Sequence, residues 1–274
     1  MVGNIIEPFF ATLIRTIAST VRERGYALLV TENEYQASIE LENLKMFYGH
    51  RISGLILRSG FGQSNLAYLE RMHQRGAYIL EIDYFYPNSP FSHVMLDNEG
   101  CVLSGVRYLY ELGHRRIATL GSHDPLKQPE ERSKSFPKAM ESVGLRVIES
   151  YKKVIELSED EAYRLTLELM RLPEPPTALF SLTGTEAAGA FRAIKELGLH
   201  IPTDVSLLTF DNYSWTALVD PPLDVIEQPA EAMALAAVDV VLDSIEGGTL
   251  DKVVRKRFAG KLIKRGSCAP PRVG

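Results

Sequence analysis

Two cysteines, Cys101 and Cys268, and a single tryptophan, Trp215, are all that 274 residues hold of these types. Thiols so few and so far apart exclude a disulfide framework and a cysteine-rich metal site, and fit a reducing cytoplasm. Long apolar runs are missing as well, since none approaches the ~18 residues that span a bilayer. The first residues, Met1-Val2-Gly3-Asn4-Ile5-Ile6-Glu7-Pro8, show no basic stretch followed by an apolar core, so no secretory signal is legible. Positive charge is also lacking: a net −5 is not the balance of a nucleic-acid-binding domain. Catalytic spacing is equally scarce. Gly100-Cys101-Val102-Leu103-Ser104-Gly105 misses the nucleophile elbow, Gly60-Phe61-Gly62 lacks the third glycine of a dinucleotide fingerprint, and the P-loop pattern does not occur. The six histidines, at 50, 73, 93, 114, 123 and 200, have no paired metal-ligand spacing and read as surface or cap residues. The expectation is a protein that is not an enzyme and uses no cofactor or metal.

What is present is an ordinary globular composition, 45% hydrophobic and 24% charged, with length for one large domain or two modest ones. One local pattern recurs along it. Gly25, Gly76, Gly113, Gly144 and Gly198 each stand between an amphipathic stretch and an apolar run, where a left-handed residue ends a helix and a strand follows. Thus Phe10, Leu13, Ile14, Ile17 and Val21 form a helical stripe after Pro8, and 26–30 reads as the next strand. Asn98 reads as the cap of a helix carrying Val102, Val106 and Leu109. Apolar strands alternating with helices predict an α/β fold with parallel sheets covered on both faces.

Ten or so strands at this length fit two doubly wound lobes better than one open sheet. The chain is expected to cross near Leu96-Asp97-Asn98 and again near Glu227-Gln228-Pro229. This gives a first lobe of 1–97 plus about 228–250, and a second of 98–227 plus about 251–274. The stretch from Lys252 onward holds eight basic residues and no acidic one, and reads as the solvated face of terminal strands.

In open α/β sheets, ligands bind beyond the carboxyl ends of the strands. Those ends carry Arg58-Ser59, Asp83-Tyr84, Asp97, Ser122, Thr183 and Asp211-Asn212. Carboxylates, hydroxyls and an arginine in that place suit a polyhydroxylated ligand, whose every hydroxyl both donates and accepts.

At this point the residues resemble a known family. Ser53-Gly54-Leu55-Ile56-Leu57, Glu111-Leu112-Gly113-His114-Arg115-Arg116-Ile117-Ala118, Pro176-Thr177-Ala178-Leu179-Phe180, and Phe210-Asp211-Asn212 with Pro221-Pro222-Leu223 and Gln228-Pro229 are similar to the effector-binding core of the lactose-repressor (LacI/GalR) regulators. The resemblance runs almost from end to end. It implies a periplasmic binding protein-like (type I) fold with the ligand cleft between the lobes. It also implies ligand-contacting positions at Phe9 and Phe10, Asp83, Arg132, Leu157, Asp211 and Gln228.

Three positions depart from the family pattern. Thr183-Gly184 replaces an Asn-Asp pair, Thr209 replaces a glycine, and Tyr84-Phe85-Tyr86 follows Asp83 where sugar binders often carry arginine. These weaken the case for a simple sugar and leave aromatic or less polar ligands open, so the effector is expected to be sugar or sugar-like, or else a nucleobase or other molecule.

The function implied is an allosteric transcription regulator's effector-binding and dimerisation core, acting in the cytoplasm as a homodimer. Family members read operator DNA through an N-terminal helix-turn-helix, which is expected to precede Met1 because no segment here supplies it. The alternative is a solute-binding protein of a sugar transporter, which shares the fold.

Overall fold

The computed structural model of the chain describes residues 1–60, 64–122, 130–155 and 157–272. Phe61, Gly62 and His123 lie outside the described residues. The chain divides into two units, Met1–Leu96 with Pro229–Phe258, and Asp97–Gln228 with Ala259–Gly274.

The first unit is built on a four-stranded sheet. Its strands are β1 (Gly54–Leu57), β2 (Tyr78–Ile82), β3 (Ser92–Leu96) and β9 (Arg255–Phe258), paired in that order and all parallel. Because β9 pairs with β3, residues 255–258 belong to this unit, and the last crossing falls after Phe258 rather than near 250.

Helices α1 (Pro8–Glu23) and α8 (Ala230–Glu246) cover one face, while α2 (Ala37–Gly49) and α3 (Leu66–Gln74) cover the other. The alternation of β2 divides the core. Tyr78, Leu80 and Ile82 pack under α1 and α8, whereas Ile79 meets Leu44, Phe47, Leu69 and Met72. Each such fully buried side chain stabilises the unit by about 1.5–3 kcal/mol.

One expected strand does not form. Leu28, Leu29 and Val30 are 38–48% exposed, and 26–30 carries no ladder. A strand exists only through its neighbours. This run meets a neighbour only at its end, where Val2 pairs with Glu32 through bonds from Val2 N–H to Thr31 O and from Asn33 N–H to Val2 O.

The second unit holds a six-stranded sheet ordered β10-β8-β7-β6-β4-β5. In chain order these are β4 (Ile117–Ser122), β5 (Lys152–Ile155), β6 (Ala178–Ser181), β7 (Ser206–Phe210), β8 (Asp224–Glu227) and β10 (Lys261–Ile263). All pairings are parallel except that of β10 with β8. The apolar run expected as a strand after Gly144 forms none at Val147-Ile148, for a single helical turn at Glu149–Tyr151 leads into β5.

Helices α6 (Glu159–Met170) and α7 (Gly184–Glu196) close one face over Leu120, Leu179, Leu207 and Val225. On the other face lie α4 (Asn98–Glu111) and α5 (Glu131–Ser142), where Gly105 lets α4 approach Phe180 and Leu208 so closely that a Cβ would stand 2.5 Å from the Phe180 ring.

His114 is not a surface histidine. It is 1% exposed and joins Thr177 Oγ1, Ser206 Oγ and the Ala269 carbonyl, tying the C-terminal segment to the sheet. His93 is likewise buried, stacked on Phe85 with ring centroids 4.7 Å apart.

Candidate functional site

In the second unit, three neighbouring strands deliver polar groups to one end of the sheet. Strand β4 ends at Ser122, β6 leads through Leu182 to Thr183, and β7 is followed at once by Asp211. Asp211 has φ +71°, a left-handed conformation that an L-residue adopts only at a cost of about 1–3 kcal/mol. Its carboxylate is 6% exposed and held on both sides: Gln228 Nε2 donates to Oδ1 at 2.6 Å, and the Gly184 amide donates to Oδ2 at 3.0 Å.

Arg132 stands in the first turn of α5, half-buried. Its Nε donates to Asn98 Oδ1 at 2.8 Å, its Nη1 to the Leu182 carbonyl at 2.9 Å, and its guanidinium lies 4.1 Å above the Phe210 ring. Arg132 and Asp211 do not form an ion pair; each is fixed by other groups. Fixed this way, the guanidinium keeps its plane and charge in one place, which favours recognition of a planar or hydroxylated group.

The departures at 183, 184 and 209 prove to be one local solution. Thr183 caps α7, its Oγ1 accepting from the Glu186 amide at 3.2 Å. Thr209 Oγ1 donates to the Thr183 carbonyl at 3.1 Å, tying β7 to that cap. At Gly184 a Cβ would come within 2.6 Å of the Tyr213 ring, so Tyr213 takes the room that an aspartate side chain would need.

Two further groups of this cluster were not expected there from the sequence. Asn98 is the first helical residue of α4 rather than its cap, a role taken by Asp97, whose side chain accepts from Gly100 N–H. That frees the Asn98 amide to bridge α5, donating to Glu131 Oε2 at 2.7 Å while accepting from Arg132. Glu186, in the first turn of α7, is 0% exposed and neither carboxyl oxygen has a hydrogen-bond partner. Burial, then repulsion from Glu130, pushes its carboxyl up to about 8. An acidic residue three places after a capping threonine was the available signal, but it suggests only a capping box.

Of the other expected positions in this unit, Leu157 is 40% exposed beyond the end of β5. Gln228 serves Asp211 through its amide nitrogen, while its Oε1 is buried without a partner.

In the first unit, Asp83 follows β2 with φ +68°. Its Oδ2 lies 3.5 Å from Arg58 Nε. The Arg58 guanidinium is sandwiched by Tyr35 and Tyr84, at 4.7 and 4.9 Å from the ring centroids, and its Nη1 donates to the Ser59 carbonyl. Tyr35 in turn hydrogen-bonds the Glu7 carboxylate, and burial together with that negative charge raises its phenol far above the usual range.

Beneath these groups Glu40, fully buried, accepts from the Gly60 amide, from Asn33 and Asn65 side chains, and from the Tyr86 hydroxyl. That network fixes the chain after β1 and β2. Phe9 and Phe10, expected as stacking surfaces, are 8% and 2% exposed and pack edge to face within the core of this unit. Both belong to the apolar stripe that α1 turns onto the sheet.

Residues 106–268 match the family model described as a periplasmic binding protein-like domain. Over 250 residues, 90% of this chain and 72% of the relative, the sequence is 29% identical to the HTH-type transcriptional repressor CytR of Escherichia coli strain K12. Over 240 residues, 86% of this chain and 70% of the relative, it is 30% identical to the HTH-type transcriptional repressor PurR of Escherichia coli O139:H28. A LacI family transcriptional regulator from Enterococcus faecium, solved with bound ribose, is similar in structure with a TM-score of 0.82 at 25% identity, covering 98% of each chain. Among the described residues no helix is long and apolar enough to cross a membrane.

Proposed function

Because the chain belongs to the LacI/GalR family of transcription regulators, we propose that the strand-end cluster of its second unit binds a small-molecule effector and that occupancy sets the affinity of the regulator for operator DNA. The relatives are transcriptional repressors, which supports this reading over a transporter's solute-binding protein. The observation that carries it is Asp211. A buried carboxylate in a left-handed backbone, held by Gln228 and the Gly184 amide, is a preorganised acceptor that a ligand hydroxyl or amine meets without further ordering cost.

The effector is a sugar or sugar-like molecule, or a nucleobase or nucleoside. Arg132 supplies a flat cation and Thr183 a hydroxyl at the same end of the sheet as Asp211. Coupling of about 1–3 kcal/mol between effector and operator suffices to change DNA affinity by roughly 5–150-fold. DNA contact itself belongs to a helix-turn-helix of the kind that names these relatives, and the regulator works as a cytoplasmic homodimer.

A thermal-shift screen of sugars, sugar acids, nucleosides and purines tests the reading. A ligand at about 100 times its Kd adds roughly 2.7 kcal/mol of stability. Arg132→Ala and Asp211→Ala should abolish that response while far-ultraviolet circular dichroism stays unchanged. A bound compound whose effect survives both substitutions would overturn the assignment of the site.

A further inference from the structure

Among the described residues the sheet of the first unit ends at β9, where the chain reads Val254-Arg255-Lys256-Arg257-Phe258. The ladder sorts these side chains by face. Val254, Lys256 and Phe258 lie on the side of Val94, and Val254 and Phe258 pack against the core under α1 and α8. Arg255 and Arg257 lie on the other side, beside His93 and Met95, where the buried His93 ring is stacked on Phe85. His93 N–H bonds the Val254 carbonyl, so the amide and carbonyl of Arg255 turn away from β3 and toward the open edge.

Charge is open on both faces. Arg255 and Lys256 are exposed and form no ion pair among the described residues, while Arg257 is engaged within the chain. On the Arg255 face the ladder supplies one carboxylate, Glu81, level with His93 on β2, and it already accepts from Ser59 Oγ and the Tyr86 amide. Asp251, four residues before Arg255, meets His73 at 3.2 Å. From Lys252 to the end of the chain no acidic residue occurs. An open edge is a template for another strand, and charged side chains guard it against pairing with its own kind. Here the guard is of one sign. A second copy offers the same cations and is repelled, whereas a strand carrying carboxylates is drawn in.

We infer that β9 is a docking edge for an extended acidic segment of another protein, which adds to the sheet as its next strand. The alternation of side chains fixes the sequence it favours. Residues opposite Val254 and Phe258 are apolar, and those between them, opposite Arg255, Lys256 and Arg257, are acidic. The order is a palindrome, so it fits either strand direction. Main-chain bonds supply the affinity and the side chains the choice. The edge belongs wholly to the first unit and is independent of the effector site.

The test uses the intact chain and fluorescein-labelled peptides built on Val-Glu-Glu-Glu-Val, with threonine at both ends, read by anisotropy. The acidic peptide should bind at least about tenfold tighter than its counterpart with lysine in place of glutamate, and weaken about fivefold or more from low to high salt. Methylating the amides of alternate residues separates a ladder from simple attraction of charge. Successive N–H groups of a strand point to opposite edges, so one methylated set should lose about tenfold or more and the other bind nearly as the parent does. Arg255→Glu combined with Lys256→Glu should reverse the preference between the acidic and the lysine peptide.

No binding of the acidic peptide, or equal behaviour of the two methylated sets, overturns the proposal, and neither result depends on how the variant folds. So does a short DNA duplex that binds more tightly than the peptide and is weakened by the same pair of substitutions, which would make the edge a phosphate-binding strip. The effector reading stands under each of these outcomes.

Discussion

Asp83 and Asp211 are the same backbone event, one in each unit. Each is the first residue after a parallel strand, with φ +68° and +71°, and each amide still completes the ladder, to Val94 O at 3.2 Å and to Ile226 O at 3.0 Å. Only then does the chain turn left-handed, leaving a carboxylate at the sheet's end. Aspartate tolerates this conformation better than most residues because its short polar side chain bonds locally. The partners differ: Arg58 for Asp83, and Gln228 with the Gly184 amide for Asp211. The strain is matched by fixed hydrogen bonds in both places, so neither carboxylate is free to wander before a ligand arrives.

Substitutions at 211 should separate backbone strain from lost hydrogen bonds. Asp211→Asn keeps a left-handed-tolerant residue and one acceptor, and a flip of Gln228 gives its unpartnered Oε1 a donor, so the cost should stay below about 1 kcal/mol. Asp211→Ala strands the Gly184 amide and the Gln228 side chain and should cost about 2–4 kcal/mol. Asp211→Val adds a β-branched residue at positive φ and should be worse still. Urea unfolding gives the order, and an alanine variant as stable as the asparagine one would refute it.

The ionisation of Glu186 gives the unliganded chain a pH-dependent stability. Its folded value is about 8 against an ordinary 4.5, so the folded state holds the proton more tightly than the unfolded one. Below about 4.5 both states are protonated and nothing is lost. As pH rises toward about 8 the unfolded chain releases its proton while the folded chain keeps it, and stability declines. The full loss, reached above about 8, is on the order of 4–5 kcal/mol at about 1.36 kcal/mol per pH unit. Glu186→Gln should flatten the profile between pH 5 and 9, and Glu186→Met should be more stable than wild type at pH 9. Parallel wild-type and glutamine profiles in urea titrations would sink the argument.

Much of the fold was legible because its signals are local. Gly25, Gly76, Gly113, Gly144 and Gly198 were expected as left-handed helix ends, and their φ values lie between +70° and +100°. The alternation of Tyr78, Leu80 and Ile82 with Ile79 likewise follows from side-chain period alone. What failed depended on partners far away in the chain. The run at 26–30 has strand composition but lacks a ladder, and β9 joins β3 across more than a hundred and fifty residues. Asn98 looked like a cap because capping is the local use of asparagine, yet its amide serves Arg132 and Glu131 instead. Phe9 and Phe10 belong to the apolar stripe of α1, and nothing in their spacing distinguishes a ring facing the core from a ring facing a ligand. Glu186 was invisible for the opposite reason: only a structure tells a buried glutamate from an exposed one.

The homodimer expected of this family should be visible by light scattering at tens of micromolar. Two large apolar groups near such a surface are taken up inside the chain. Phe47 packs in the core beneath α2, and Trp215 packs against Phe191 within its own unit, with ring centroids 6.5 Å apart. Met46 on α2 and Leu218 are exposed, at 40% and 82%. Replacing either by glutamate should weaken association about tenfold or more if it lies at the centre of the contact, with little change in unfolding of the separated chains. A wild-type chain that remains monomeric throughout that range would remove the dimer.

The C-terminal segment should depend on one buried carboxylate. Asp224, the first residue of β8, is 0% exposed. Its Oδ1 accepts from the amides of Arg265, Gly266 and Ser267 at 2.6, 2.7 and 3.2 Å, and its Oδ2 from the Tyr108 hydroxyl at 2.7 Å. Ser267 completes the arrangement, accepting from the Asp224 amide and donating to the Leu207 carbonyl. Three backbone donors turn toward one oxygen because the chain has left β10 and must satisfy its amides without a further strand. Asp224→Ala leaves those amides and a phenol unpaired in a dry interior, which should cost about 3–5 kcal/mol. Asp224→Asn retains an acceptor for the amides, and its amide nitrogen can donate to the Tyr108 oxygen, so roughly 1–2 kcal/mol is expected. The alanine variant should also become open to trypsin at Lys261, Lys264 and Arg265 under conditions where the rest of the chain resists. Urea midpoints for the two variants that coincide with wild type, or a tail equally resistant in all three, would show that other contacts hold the segment in place.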